Sequence, residues 1–351
     1  MITRANSNTF VISPFLELEG NHLLLFRKQI IVFTFLSCSA NFNFFTMIDI
    51  RNNNLYVPII VVTLAFGILG WLQFEVLRLI EYPLLIVLVL LIGLPHGATD
   101  FLLFQRIIGV QLTRNQVFRF FGSYLGAVLG YFLVWLFFPV AALVLFLGIS
   151  AYHFGQSNWH YLKAPRWLSS LVYMVWGAFA LGGAILWHWE ESSVVIHQMI
   201  GASMPVWSAA TMDTIQWVLL MVTFLLIISL RLLSNISHHN LVREVLNLGV
   251  LAFMLYFTPL LVGFTLYFTL WHSLESMLNQ VKFFKGKWPS FTLVQYYRQA
   301  TPYTILAVVG LIGLIGCHSL LFANVSLISI FLIFISCVTL PHLFLIEESF
   351  K

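Results

Sequence analysis

Four histidines carry the chemistry that this sequence offers. They are His96 in Gly93-Leu94-Pro95-His96-Gly97-Ala98-Thr99-Asp100, His153 in Ser150-Ala151-Tyr152-His153-Phe154-Gly155, His272 in Trp271-His272-Ser273-Leu274-Glu275, and His342 in Thr339-Leu340-Pro341-His342. Each stands within a long apolar run, where an ionisable side chain is costly and ordinarily faces a bundle interior to mark a site. Imidazole is the commonest metal ligand among side chains and suits iron, zinc, copper and nickel. A single intramembrane histidine is more often a hydrogen-bonded packing residue. Several in similar settings on separate segments fit the way helical bundles build metal centres, from inward-pointing ligands on different helices. Gly93 and Gly97 bracket His96 and Gly155 follows His153, so neighbouring backbones can approach closely. Asp100 stands one turn from His96 on the same helical face, placed to orient an imidazole. The expected ligands and catalytic residues are His96, His153 and His272, with His342 as a further metal ligand.

The elements that must position these residues are membrane helices. Of 351 residues 60% are hydrophobic and only 9% charged, against about 25% charged in an average soluble domain. That excludes a water-soluble globule and a disordered chain. Apolar runs predict spans near 57–73, 83–103, 117–137, 140–160, 168–187, 213–232, 245–260, 262–280, 301–321 and 326–346. Period-two alternation is absent, so the backbone must be satisfied by helices. The expected fold is therefore all-α, a polytopic transmembrane helical bundle of about nine to ten spans. Pro139 and Pro259 divide two long apolar stretches into tight hairpins, although Leu246–Leu274 also fits one kinked span with a re-entrant piece. Residues 1–46 read as an N-terminal extension and 47–351 as a single transmembrane domain. Arg27 and Lys28 interrupt the extension's apolar part, which argues against a signal peptide, and Met47 is the expected true start.

Loop charges give the orientation. Arg106, Arg114 and Arg119 fall together, as do Lys163 with Arg166, Arg231 with Arg243, and Lys282, Lys285 and Lys287 with Arg298. The connections between these groups are poor in Lys and Arg, as the positive-inside rule requires, and both termini come out cytoplasmic in a multi-pass protein of the cell (inner, cytoplasmic) membrane. All four histidine-bearing spans then run inward. The helical rise puts His96, His153 and His272 about 10–12 Å from the cytoplasmic end and His342 about 6 Å from it. A net charge of +4, scattered along the chain, predicts no nucleic-acid partner.

The remaining polar residues read more plainly. His160, two turns after His153, is a candidate ligand from below. His238-His239 resembles half of a diiron histidine box in a cytoplasmic loop. His22, His188 and His197 read as solvated, and His318 as packing. Cys38, Cys317 and Cys337 lack metal spacing and read as small buried hydrophobes. Aromatics make up 16% of the chain. Most fit plain packing, yet Phe264 to Trp271 leads into His272, and Tyr152 and Phe154 flank His153. An aromatic cavity beside a metal suits a long conjugated substrate entering from the bilayer.

The histidine motifs resemble those of the Brp/Blh family, the bacterial and archaeal membrane-embedded β-carotene 15,15'-dioxygenases. The resemblance rests on Gly93–Asp100, Ile149–Gly155, Tyr267–Ser273 and Thr339–His342, in that order, across residues 93–342. It implies an Fe(2+)-dependent cleavage of the central double bond of β-carotene with O2 to give two retinals, with His96, His153 and His272 as iron ligands. It further implies a histidine four residues after His272, where this chain has Ser276, and an acidic residue shortly after Gly155, where it has Asn158. Either three histidines suffice, or His342, His160 or Glu275 supplies another ligand; Asp100, Glu275 and Ser276 are the expected supporting residues. The resemblance also implies a functional link to a retinal-binding opsin. The competing readings are a metal-ion or proton transporter, a diiron hydroxylase or desaturase, and a catalytically silent relative.

Overall fold

Residues 55–108, 112–201, 207–234, 236–286, 288–317 and 325–349 are described by a computed structural model. The expected N-terminal extension, the start at Met47, His22, His318, Cys38 and Lys287 lie outside the described residues. Among the described residues eleven helices follow one another and no strand occurs. They are α1 (Tyr56–Trp71), α2 (Val76–Ile107), α3 (Arg114–Phe137), α4 (Pro139–Trp159), α5 (Arg166–Leu186), α6 (Trp189–Ile200), α7 (Ala209–Leu233), α8 (His238–Phe257), α9 (260–285), α10 (Leu293–Gly316) and α11 (Leu327–Ser349). Eight of these are long and apolar enough to cross a membrane by length and composition, and α1 is a shorter apolar helix.

Local chemistry sets the helix ends. Thr113 and Thr292 open α3 and α10 with capping boxes completed by Gln116 and Gln295. Ser208 and Ser237 cap α7 and α8. Pro139 begins α4 in the first turn, where its missing N–H costs nothing. Pro259 separates α8 from α9, so the stretch around it forms two helices and not one kinked span.

Several expectations need correction. The second span extends over Val76–Ile107, 32 residues, well beyond the expected 83–103. Its added first turns carry Arg78, which pairs at 2.8 Å with Glu191 on α6. The stretch expected to be a connection, 188–212, contains α6. Glu190 and Glu191 in its first turn complement the helix dipole, and Gly201 ends it in the left-handed region at φ 62°. Arg243 is not a loop charge. It lies inside α8, buried, with Nη2 2.7 Å from Glu244 Oε1. His238 begins α8 and does not sit in a loop. His188 is half-buried and bonds the Leu255 carbonyl at 2.8 Å, so it is not a solvated residue. Cys337 is buried as expected, but Cys317 is exposed at the end of α10.

Close backbone packing fixes the helix that carries His153. A Cβ at Gly155 would collide with the Tyr173 carbonyl on α5, and one at Gly177 with the Ala151 carbonyl on α4. The two glycines thus let α4 and α5 touch on either side of His153, as small residues do between membrane helices. A second buried polar cluster ties α8 to the end of α4. Glu244 accepts from Arg243, Tyr161, Asn158 and Asn247, and the Arg243 guanidinium lies 4.9 Å from the Tyr161 ring centroid. Burial, and after it the neighbouring Glu244 charge, holds the Tyr161 hydroxyl well above its usual pKa.

Candidate metal centre

His96 reaches its place because α2 is irregular twice. Val89–Gly93 is π-helical, and after His96 the helix breaks at Ala98 and Thr99 before resuming at Asp100. A break inside a membrane helix frees carbonyls that must be bonded, and a buried clamp does so. Gln280 on α9 donates to the His96 carbonyl at 3.2 Å, Tyr296 on α10 donates to the same carbonyl at 3.2 Å, and Thr99 donates to Gln280 Oε1 at 2.7 Å. His272 also lies in a π-helical segment, Tyr267–Ser273, which packs on that of α2. Single π turns are frequent at functional sites. Next to His272, the indole of Trp271 donates to Thr63 on α1 at 2.9 Å, anchoring the segment from outside.

The four imidazoles converge. Ring centroids lie 5.2 Å apart for His96–His272 and for His96–His342, 4.8 Å for His153–His272 and 5.3 Å for His153–His342. All four side chains are buried. Ligand atoms of His96, His153 and His342 all lie within 4.8 Å of one another. First-row metals sit about 2.0–2.1 Å from imidazole nitrogen, so a small inward turn of these rings would let them share one ion. His342, expected shallower than the others, is level with them because α11 continues to Ser349 and its ring is held by Asp100.

Hydrogen bonding sorts the nitrogens. His342 Nδ1 donates to Asp100 Oδ1 at 2.6 Å, and His96 Nδ1 donates to the Gly93 carbonyl. Carboxylate and carbonyl oxygens only accept, so both rings are fixed with Nε2 as the free lone pair. His96 Nε2, His342 Nε2 and both ring nitrogens of His153 and His272 are buried without a hydrogen-bond partner. Buried polar atoms are normally bonded. Six that are not, in one cluster, include one lone pair from each of the four neutral rings, a donor set of the kind that takes a metal ion. Asp100 therefore orients an imidazole, that of His342, and its other oxygen accepts from Tyr124 at 2.9 Å. The sequence offered no sign of Tyr124, which stands 24 residues away on another helix.

The other expected residues stand apart. His160 is half-buried and bonds the Ser157 carbonyl one turn back at 2.9 Å. Glu275 is half-buried and Ser276 buried on the turn after His272; neither lines the cavity described next.

That cavity, about 560 Å³, reaches all four histidines and Asp100. Its wall is otherwise almost wholly aliphatic and aromatic. Phe154 lies 4.4 Å from the His272 ring, and Phe268 packs edge-on to His96 at 6.0 Å and parallel to His272 at 6.1 Å. Such a space binds a long apolar molecule and exposes it to the imidazole cluster at one point. No curated protein and no solved structure matches this chain. A family model does match: that of beta-carotene 15,15'-dioxygenase, over residues 87–348, a stretch that contains the four histidines, Asp100 and Tyr124. The chain belongs to the β-carotene 15,15'-dioxygenase family, a family of oxygenase enzymes.

Proposed function

We propose that this protein is an iron-dependent oxygenase that cleaves β-carotene, or a closely related carotenoid, across its central 15,15' double bond with O2 to give retinal. Family membership implies the reaction class. The observation that carries the metal is the convergence of four buried imidazoles that leave six ring nitrogens without partners. His96, His153, His272 and His342 are the proposed Fe(2+) ligands. His342, oriented by Asp100, takes the place of the histidine that Ser276 replaces.

Iron would supply the activation of O2. The chain's residues do the rest. Asp100 and the Gly93 carbonyl hold two imidazoles in the ligating tautomer. Phe154 and Phe268 brace the His272 ring and leave an apolar face toward the substrate. The apolar cavity excludes water and presents one stretch of polyene to the cluster. Residence in the bilayer concentrates a substrate that water does not dissolve. The basic residues near the helix ends support a multi-pass orientation with both chain ends in the cytoplasm. Retinal released into lipid is chemically suited to a retinal-binding opsin, the partner this reading implies. The clustering of the histidines disfavours a transport path, which needs polar groups at several depths.

The test is expression in cells that accumulate β-carotene. The parent should bleach them and form retinal, and the purified protein should carry iron. His96→Ala should lose both while remaining in the membrane. A stable His96→Ala protein that bleached like the parent would end the shared-iron reading.

A further inference from the structure

The wall of the cavity is open on one side. Among its lining residues, the ones exposed on the outside of the bundle are Phe121 and Leu125 on α3 and Leu306 and Gly310 on α10. The lining residues of every other helix are buried or half-buried. α3 and α10 are also the two least buried of the eight long apolar helices. On both sides of the gap the surface is apolar. Phe118, Leu129 and Leu133 on α3, and Ile305, Val309 and Ile312 on α10, are each more than half exposed. A surface of this kind faces hydrocarbon tails, so the gap opens into lipid and not into water.

One edge of the gap is aromatic. The Phe121 and Tyr303 rings stack across it, 6.1 Å apart at 22°, with Phe101 5.1 Å from Phe121 behind them. Pro302, just before Tyr303, leaves the Arg298 carbonyl without its helical donor and softens α10 at that point. The far end of the cavity, where α5 ends and α9 and α11 begin, is stoppered. Val195, Ile196 and Met199 of α6 line it there, and Gln198 accepts from Ser329 on α11 at 3.2 Å.

We propose that the gap between α3 and α10 is a side portal through which the carotenoid enters from the hydrocarbon layer, with the Phe121–Tyr303 pair as its sill and Leu125, Leu306 and Gly310 as its rim. The proposal rests on the oxygenase reading and deepens it by assigning the substrate's route. The polyene never crosses water, and the flexible sill on α10 sets how bulky an end group can pass.

The experiment uses the full chain in phospholipid vesicles loaded with β-carotene. A portal filled by Leu306→Trp with Gly310→Leu should bleach about tenfold or more slowly, as when admission replaces chemistry as the limiting step, with parental iron content. A Cβ at Gly310 meets only Phe334, at an ordinary 3.7 Å, so the filled protein has room to fold. Phe121→Ala, which widens the sill, should speed the exchange of carotenoid between protein and vesicle. Filling the α6 end with Val195→Trp should slow bleaching less than filling the portal. A parent that does not bleach would sink the oxygenase reading. A bleaching parent matched by an iron-loaded filled portal and by an unchanged exchange rate in Phe121→Ala would overturn the portal alone, and so would a larger effect from Val195→Trp.

Discussion

The Glu244 cluster and the histidine cluster are both buried and polar, and they differ in one respect. Around Glu244 every partner is in place: a guanidinium, a phenol and two amides converge on one carboxylate. Around His96, His153, His272 and His342 the rings approach but six nitrogens bond to nothing. The first cluster is complete in the protein alone and therefore holds the fold. The second is complete only with something added, because a buried acceptor without a donor costs about 1–3 kcal/mol. Burial and polarity do not separate a structural cluster from a functional one; the state of its hydrogen bonds does.

Mutations can break that contrast. The largest effect should come from His153→Ala, which removes two unbonded nitrogens. Metal binding and cleavage should vanish, yet the metal-free protein should lose less stability than Glu244→Ala loses, as read by thermal unfolding in detergent. Glu244→Ala is the mirror case. It strands the Arg243 charge, and breaking a buried pair costs about 3–5 kcal/mol; iron should still bind at temperatures where the variant is folded. If Glu244→Ala left stability intact but abolished iron binding, the two clusters would have to exchange roles. Asp100→Asn is subtler. It keeps the shape but weakens the hold on His342, and iron affinity should fall about 10–100-fold, measured by chelator competition. The smallest change is expected for Ser276→His. The family pattern has a histidine there, but His342 already stands at the cluster, so no activity should be gained. The added bulk at a buried position should cost about 1–3 kcal/mol. A marked gain of activity would show that this branch lacks a ligand after all.

Much of the site was legible because its signal is chemical and local. An imidazole in an apolar run is conspicuous, and so is a carboxylate one helical turn from it, as Asp100 is from His96. What stayed hidden was relational. Asp100 serves His342, on the last helix described, and Tyr124 joins them across 24 residues of chain. Periodicity could not reveal Gln280, Thr99 and Tyr296 as a clamp on a broken helix, because the break itself leaves no mark in an apolar run. The fold was legible wherever hydrophobicity ran long enough, and it failed where polarity was mixed. α6 opens with four polar residues in a row, Glu190 to Ser193, so its hydropathy reads as a loop; Arg243 falls in the polar first turns of α8, where hydropathy does not mark the helix. Asn158 stands where the family resemblance expects an acid, and it bonds Glu244 at 3.1 Å, so that a carboxylate reaches the same spot from α8.

The order of the four imidazoles along the chain has a consequence for biogenesis. His96, His153 and His272 are all synthesised before α11 emerges, and until it does, Asp100 has no imidazole to hold. A nascent protein halted after α10 would keep an incomplete nest inside the membrane, with the Asp100 carboxylate held by Tyr124 alone. Closure of the nest is thereby deferred until α11 has been made, and that helix works as its clasp.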